Sequence, residues 1–427
     1  MLPYTTRLES GPWFTVGQPL DGRTIHDQLH AMRPDAPESV RPYCIYVHVP
    51  FCASICSFCA LYTQAVPRDA DPVLDEYLDL VRVSIDRHPW TQADRPPTTV
   101  HFGGGTPLLL GDHRFATLVR ALKTAFGTSP TCEWAVETTT SSINAATLDM
   151  LAELGFQRIH LGIQTLDDET RKRIGRQEPG ARAIERIQTL HAHGFFTSID
   201  LIIGFDEVDG AVVDRDLRRL YDAGVRMFSV CELRERGATR LGIRDDDTKA
   251  RHNHALWARI WDFMADVGLK PIHLGQFARS QADNLYFTFP ARGEDCVAIG
   301  PYAHGCAGDL YYGNRLLPDY YDAIRAGRSP IGPGVVYGAE ARVIRHLERE
   351  LLAHHVACST LALVEDAYPD AFPPLLDRWL RQRLLVDCRG RDYVTLSRDG
   401  SWFVGNMIAD ARAMLSRTAC DRQERTA

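Results

Sequence analysis

The chain has 427 residues, 45% of them hydrophobic and 24% charged, and its formal net charge is −7. A chain of this size buries a substantial core without disulfides, and its acidic balance argues against a protein that works mainly on nucleic acid, for which a basic face is typical. No stretch approaches the roughly 18–20 unbroken apolar residues of a membrane span, and the first residues lack a signal-peptide pattern, so we expect a cytoplasmic protein with neither a nucleic-acid nor a membrane partner.

Short apolar runs alternate with helical patterns through the first half of the chain. After the first run, Leu74, Leu78, Val81 and Ile85 are spaced by four, three and four residues, which is typical of one helix face. Serial strand–helix units predict a parallel sheet. We therefore expect an α/β fold with a partial, TIM-like (β/α)6 barrel. The six predicted strands span residues 44–49, 98–102, 133–137, 158–164, 197–204 and 227–233.

The pattern changes beyond about residue 318. Helical segments are followed by a predicted hairpin, with strands at 384–388 and 393–396 around the turn at 389–392. Helices followed by a small hairpin suggest a winged-helix-like domain. The expected organisation is an N-terminal segment (1–40) over the active site, a barrel with its extension (41–317), and a C-terminal substrate or lid domain (318–427).

Three of the eleven cysteines stand close together, directly after the first predicted strand. Cys52, Cys56 and Cys59 form a C-x3-C-x2-C pattern, and thiolates at this spacing can hold one iron–sulfur cube. Three ligands on four irons leave one iron open for a substrate or cofactor. A zinc site is the alternative, but structural zinc needs four closed ligands, and the nearest imidazole, His48, lies on the strand. Chance clustering is the other alternative.

Two motifs together resemble the signature of radical S-adenosylmethionine (SAM) enzymes. Phe58 precedes the last cysteine of the triplet, and the glycine run at 103–105 follows the second predicted strand, where it lets the backbone approach a ligand. The resemblance is closer still to the oxygen-independent coproporphyrinogen III oxidase-like subfamily, whose relatives include haem chaperones, class C radical SAM methyltransferases and an anaerobic haem-degrading methyltransferase. It runs through Tyr46, VHVPFC, GGGTP, Glu137, LGIQ, IGRQ, IDLIIG, GPYAHG and LSRDGSWFVGN.

Several polar residues fall at or near the C-terminal ends of predicted strands, where parallel barrels build their sites. The alternatives are strand-end capping for Gln164 and Asp200, a solvated helix charge for Arg176 and an ordinary turn residue for His304. The predicted catalytic residues are Gln164, Glu232 and His304. The resemblance implies SAM contacts from Tyr46, Phe58, Gly104, Gly105, Thr106, Glu137, Gln164, Arg176 and Asp200.

The resemblance also implies the chemistry. The open iron binds SAM, and one electron from a donor such as flavodoxin or ferredoxin cleaves it to methionine and a 5′-deoxyadenosyl radical. The implied cofactors are a [4Fe–4S] cluster and two SAM molecules, and the expected substrate is a small aromatic or tetrapyrrole-like molecule.

Three outcomes are compatible with this chemistry. The favoured one is transfer of a methyl or methylene group from the second SAM to an sp2 carbon, because Tyr62 and the segment at 402–406 resemble those relatives. Porphyrinogen decarboxylation is disfavoured, because Leu61 stands where the oxidases carry a further cysteine. A non-catalytic haem chaperone is the third. The Ala303-His304-Gly loop resembles that branch, although residues 204–207 depart from the G-L-P common in the subfamily.

Overall fold

Strands and helices alternate along most of the chain in the computed structural model. It describes residues 3–4, 6–8, 16–33, 42–67, 71–234, 241, 246–388 and 390–426, with the backbone alone at 290, 291 and 416–426. The first half contains β1 Gln18–Leu20, α1 Gly22–Ala31, β2 Tyr43–Val49, β3 Phe51–Cys52, β4 Gln64–Ala65, α2 Asp71–Asp86, β5 Thr99–Gly104, α3 Asp112–Phe126, β6 Glu133–Thr138, α4 Ala145–Glu153, β7 Arg158–Gln164, α5 Asp168–Arg173, α6 Gly180–Ala192, β8 Phe196–Ile203, α7 Gly210–Asp222 and β9 Met227–Glu232.

The second half is richer in antiparallel strands and helices. It contains α8 Asp247–Asp266, β10 Lys270–His273, β11 Gln276–Ala278, α9 Leu285–Ala291, β12 Asp295–Ile299, β13 His304–Ala307, β14 Leu310–Asn314, α10 Leu317–Arg325, β15 Ile331–Val336, α11 Ala339–Leu352, β16 His355–Ala357, α12 Cys358–Ala367, α13 Phe372–Arg381, β17 Leu385–Asp387, β18 Tyr393–Leu396, α14 Arg398–Trp402 and α15 Val404–Thr426.

One sheet of 13 strands forms the centre of the molecule, in the order β1-β15-β14-β13-β12-β2-β5-β6-β7-β8-β9-β11-β10. The six predicted strands are present and parallel, which confirms the α/β fold and the partial barrel. The structure adds a seventh parallel strand, β12, which pairs with β2. The predicted apolar face of α2 is buried, with Leu74, Val81 and Ile85 fully inaccessible.

The strand register places polar side chains beside one another on the sheet. Tyr46 stands opposite His101, and Glu137 stands opposite His160. On the next pair, Gly162 stands opposite Asp200. Because neighbours in register point to the same face, the barrel collects these groups on one wall.

The C-terminal part consists of helices and a small antiparallel sheet in the order β16-β18-β17. The predicted hairpin is present, although residue 389 of its turn lies outside the described residues, and β16 adds a third strand that the sequence did not predict. The domain limits at 41 and 318 stay a prediction. The main sheet also contains β1, which precedes the first limit, and β15, which follows the second. Within the described residues, no helix is long and apolar enough to cross a membrane.

Candidate active site

A cavity of about 440 Å³, which we call the cysteine cavity, opens at the C-terminal ends of the parallel strands. It brings together most of the residues that the sequence singled out, and its volume falls in the range typical of small-molecule sites, roughly 300–1,000 Å³. The predicted site residues that line it are Cys52, Cys56, Phe58, Cys59, Gly104, Gly105, Thr106, Glu137, Gln164, Arg176 and Asp200.

Cys52 is the last residue of β3, and Cys56 and Cys59 lie in the loop between β3 and β4. The Thr106 hydroxyl donates a hydrogen bond to Cys52 Sγ at 3.6 Å, and the backbone amide of Ser57 donates to the Ile174 carbonyl, which ties the loop to the end of α5. Burial raises the pKa of the Cys52 and Cys59 thiols, against lowering contributions that include the charge of Arg176. An electropositive group would therefore be needed to hold these sulfurs as thiolates.

The glycine run packs directly beneath the cysteine loop. The amide of Gly105 donates to the Val49 carbonyl at 2.8 Å, and that of Thr106 donates to the Phe51 carbonyl at 2.7 Å. A Cβ on Gly105 would lie 2.4 Å from Phe51 O, and Gly104 has φ +103°. Only glycine fits at these two positions, so bare backbone forms this wall of the cavity.

Glu137, Glu178 and Asp200 supply three carboxylates to the cavity lining, and two of them contact a buried histidine. His101 Nε2 lies 2.8 Å from Glu137 Oε1. Burial works to raise the pKa of Glu137, but the hydrogen bond and charge of His101, with that of His160, outweigh it and lower the pKa. His160 Nε2 lies 3.0 Å from Asp200 Oδ2. Burial opposes protonation of His160, but the charge of Asp200 raises its pKa.

Gln164 and Arg176 carry buried polar atoms that lack a partner among the described residues. The unpaired atoms are Gln164 Oε1 and Arg176 Nε. Both side chains flank Gly162, where a Cβ would lie 2.8 Å from Gln164 Nε2 and 3.0 Å from Arg176 Nη2. Gln164 also has φ +69°, a strained conformation for a non-glycine residue, and strain of this kind clusters at functional sites. Unpaired groups of this kind fit a ligand with a carboxylate and polar hydrogen-bonding groups.

Three predicted residues lie outside the lining of this cavity. Tyr46 stands behind the glycine wall, with its hydroxyl 3.1 Å from His48 Nδ1. His304 Nδ1 lies 2.7 Å from the hydroxyl of Tyr311, away from the cysteines. Glu232 is held at the end of β9 by Arg7 at 2.6 Å and Arg234 at 2.7 Å.

The structure also shows lining residues that the sequence analysis missed. His160 faces the cavity because it shares the alternation of Gly162 and Gln164 along β7, a pattern that was available in the sequence. Arg171 is buried and donates to the carbonyls of Ile163 and Thr165, both at 3.0 Å. No sequence pattern distinguishes Arg171 from its charged neighbours on α5.

The fold and the site define an enzyme of the parallel-barrel class with a three-cysteine centre at the strand ends. Residues 46–220 match the Radical SAM superfamily model. These residues form a radical SAM domain, and the chain is similar to proteins of the oxygen-independent coproporphyrinogen III oxidase-like subfamily.

Similar proteins cover most of the chain. Anaerobilin synthase of Escherichia coli O157:H7 is 25% identical over 393 residues, 88% of this chain and 85% of the relative. Oxygen-independent coproporphyrinogen III oxidase of Pseudomonas aeruginosa is 27% identical over 375 residues, 81% and 80% of the two chains. A heme chaperone of Mycobacterium tuberculosis is 28% identical over 320 residues, 72% and 80% of the two chains.

The solved structure of coproporphyrinogen III oxidase from Escherichia coli shares the fold. It has a TM-score of 0.77 and 22% identity and covers 90% of this chain and 92% of its own.

A radical SAM domain implies a [4Fe–4S] cluster and SAM as cofactors. The residues of the cavity fit both. Three half-buried thiols face one end. The glycine wall, the carboxylates of Glu137 and Asp200, and Gln164 and Arg176 with their unpaired atoms face the rest.

Proposed function

We propose that the chain is a radical SAM methyltransferase that places a methyl or methylene group on an sp2 carbon of a tetrapyrrole-like substrate. In this proposal Cys52, Cys56 and Cys59 hold the cluster, and a second SAM molecule is the carbon donor. When bound, the cluster and SAM supply one-electron cleavage of SAM to methionine and a 5′-deoxyadenosyl radical.

Leu61 is the observation that carries the choice of reaction. It occupies the position where the porphyrinogen oxidases that this chain resembles have a further cysteine. Its side chain is 58% exposed and lines the cysteine cavity. An apolar side chain at this point supplies neither a thiol nor a proton to a substrate. The chain therefore lacks one of the cysteines that the oxidases carry, which disfavours decarboxylation of the oxidase type.

The other cavity residues have roles that follow from their chemistry. The Arg176 guanidinium suits a SAM carboxylate, because its planar donors match two oxygens at once. Glu137 stays ionised through its contact with His101 and suits ribose hydroxyls or the sulfonium charge. Asp200, paired with His160, suits the same groups. Phe58 packs edge-on against Phe205 at 6.4 Å and closes the apolar side of the cavity.

The similarity to anaerobilin synthase supports a tetrapyrrole-like substrate, since that alignment spans the larger part of both chains. Two alternatives rest on the other relatives. An oxidase-type decarboxylase agrees with the similarity to the Pseudomonas aeruginosa oxidase, and a haem chaperone agrees with the similarity to the Mycobacterium tuberculosis chaperone.

Product analysis of the anaerobically reconstituted protein separates the three. With haem or a porphyrin and a one-electron reductant, we expect both S-adenosylhomocysteine and 5′-deoxyadenosine, and a tetrapyrrole of increased mass. Release of 5′-deoxyadenosine with carbon dioxide and no S-adenosylhomocysteine would contradict methyl transfer and favour the decarboxylase. Stoichiometric haem binding with little SAM turnover would favour the chaperone.

A further inference from the structure

A second cavity, of about 350 Å³, lies between helix α11 and the turn that joins β13 to β14. It is at the opposite end of the barrel from the cysteines. Asp295, the first residue of β12, pairs with Tyr43, the first residue of β2. Cys52 lies beyond the other end of β2, three residues after Val49. The turn at 308–309 and Gly293 therefore mark the N-terminal ends of the parallel strands.

Arginine side chains from one face of α11 line this cavity. Arg342, Arg345 and Arg349 are spaced by three and four residues, so they point the same way, and His346 joins them. Asp309 is the one acidic residue among the described lining residues. The lining has an excess of positive charge.

Two of these arginines lack an anionic partner in the described part of the chain. Arg345 is only 8% exposed, and its Nε is buried without a hydrogen bond. Its Cζ lies 4.3 Å from the centre of the Tyr337 ring, a contact that compensates for little of the desolvation. Arg349 Nε is also buried and unpaired, and burial, followed by the charge of Arg345, lowers the pKa of Arg349 to about 10.

The nearby carboxylates have other partners, and two of them pair with other arginines. Asp309 pairs with Arg342 at 3.1 Å, and the buried Glu348 pairs with Arg412. Asp295 accepts a hydrogen bond from the amide of Gly308 at 2.8 Å. Glu348 Oε2 is itself buried and without a hydrogen bond. The charge of Glu348 offsets part of that of Arg345 and Arg349, but neither guanidinium forms an ion pair with it. Buried cations are normally paired, so a group from outside the chain is the missing partner.

We propose that this cavity binds the phosphate group of a small phosphorylated ligand, held between Arg345 and Arg349. Two guanidinium forks facing one space match the several oxygens of a phosphate. A Cβ on Gly293 would lie 2.4 Å from Arg349 Nη1, so the absence of a side chain there leaves room for Arg349. The ligand would bridge α11 to the barrel, away from the SAM cavity.

Calorimetric titration of the full-length reconstituted protein with pyrophosphate, at constant ionic strength, tests the site. We expect binding that weakens at least tenfold in Arg345→Leu and in Arg349→Leu, with partial recovery in Arg349→Lys. Arg381→Leu, which removes an exposed arginine of α13, and Arg176→Leu, in the SAM cavity, keep the affinity. Unchanged binding in both α11 variants, or loss in Arg176→Leu alone, would overturn the assignment.

Two further arms test the class of ligand and separate binding from a structural role. Citrate is expected to bind more weakly than pyrophosphate, and citrate binding without pyrophosphate binding would overturn the phosphate assignment. No binding of either anion would overturn the site. Without an anion, Arg349→Leu is expected to keep or raise the melting temperature, because it removes a partly buried charge that has no ion-pair partner among the described residues. A lower melting temperature would mean that Arg349 is structural.

Discussion

Gln164 combines two features that cost folding free energy, one in its backbone and one in its side chain. Its left-handed backbone costs about 1–2 kcal/mol, and its buried, unpaired Oε1 costs about 1–3 kcal/mol more. Gln164 lines the cysteine cavity. A residue that served only the fold would be replaced by glycine at little loss, so we attribute the glutamine to the ligand.

Gln164→Gly is therefore expected to keep or raise stability, by about 0.5–1 kcal/mol, while it weakens SAM binding about tenfold. Glycine adopts positive φ without strain, but it offers no amide to the ligand. Thermal unfolding and equilibrium binding of SAM measure the two effects. Gln92→Gly is the matched control, since Gln92 also has positive φ, at 59°, but lies in the loop before β5. If SAM affinity is unaltered in Gln164→Gly, Gln164 is structural.

Cys56→Ala is expected to abolish both the brown cluster absorbance and SAM cleavage, because two thiolates do not hold the cube that three are proposed to hold. Iron and sulfide analysis after anaerobic reconstitution checks this. Cys358→Ala, at an exposed cysteine outside the cavity, keeps the full iron content. Normal SAM cleavage by Cys56→Ala would refute the ligand assignment.

At the scale of elements, the strand ends are positioned by a buried cation on the following helix. Arg171 on α5 donates to the carbonyls of Ile163, Thr165 and Glu178, so it joins the end of β7 to the loop that carries Arg176. The side chain is 2% exposed. Its hydrogen bonds therefore hold the end of β7, which carries Gln164, against the loop that carries Arg176.

Arg171→Met is expected to lower the free energy of unfolding by about 2–4 kcal/mol, because it leaves buried carbonyls unpaired, and to weaken SAM binding as well. Denaturant unfolding and SAM titration measure the two losses. Lys172→Met is the control on the same helix, because Lys172 is exposed and makes one surface ion pair with Glu169; it is expected to change stability by less than about 0.5 kcal/mol. Equal effects of the two substitutions would contradict this role for Arg171.

The sequence predicted the parallel part of the fold, because buried parallel strands are continuous apolar runs that helical patterns separate. It missed the parallel strand β12 and the antiparallel strands β13–β15. β12, β13 and β14 have only four or five residues each and follow one another after short connections, so their pattern resembles loop. The cysteine cavity was predictable, since Glu137, Gln164 and Asp200 stand at strand ends and adjacent parallel strands end at one edge. Glu232 follows the same rule, yet it points to Arg7, a partner more than 200 residues away in the sequence. Such long-range charge pairing has no local signature.

On the scale of the whole molecule, the two ends of the chain meet at the end of β9. We call this contact the terminal clasp; it consists of Arg7, Leu8, Glu232, Trp402 and Asn406. Arg7 donates to the Trp402 carbonyl at 2.7 Å and to Glu232 at 2.6 Å, and the Leu8 amide donates to Asn406 Oδ1 at 2.8 Å. The clasp joins the end of β9 to two segments that the sequence assigned to different domains.

Glu232→Gln is expected to loosen the clasp and speed hydrogen exchange at the Leu8 amide about tenfold, while SAM cleavage continues. Glu207→Gln, at an exposed ion pair with Arg173, leaves that amide protected. Lost turnover with a protected Leu8 amide would instead support the catalytic role that the sequence suggests for Glu232.

The clasp also gives a pH dependence of defined sign. Burial works to raise the pKa of Glu232, but the charges of Arg7 and Arg234 lower it below its ordinary value of 4.5. The stabilisation of the folded state by ionised Glu232 is therefore complete above pH 4.5, and it is lost as the pH falls through the lowered pKa. Unfolding of the wild type is expected to be more sensitive to acid in this range than that of Glu232→Gln.

The proposed reaction depends on a four-iron cluster that three cysteines hold, with one iron left open to SAM. Electron paramagnetic resonance of the reduced, anaerobically reconstituted protein, recorded with and without SAM, reports on that iron. We expect a [4Fe–4S] signal that changes when SAM is added and that is absent in Cys56→Ala. A protein that contains zinc and no iron, or a cluster whose signal SAM leaves unaltered, would contradict it.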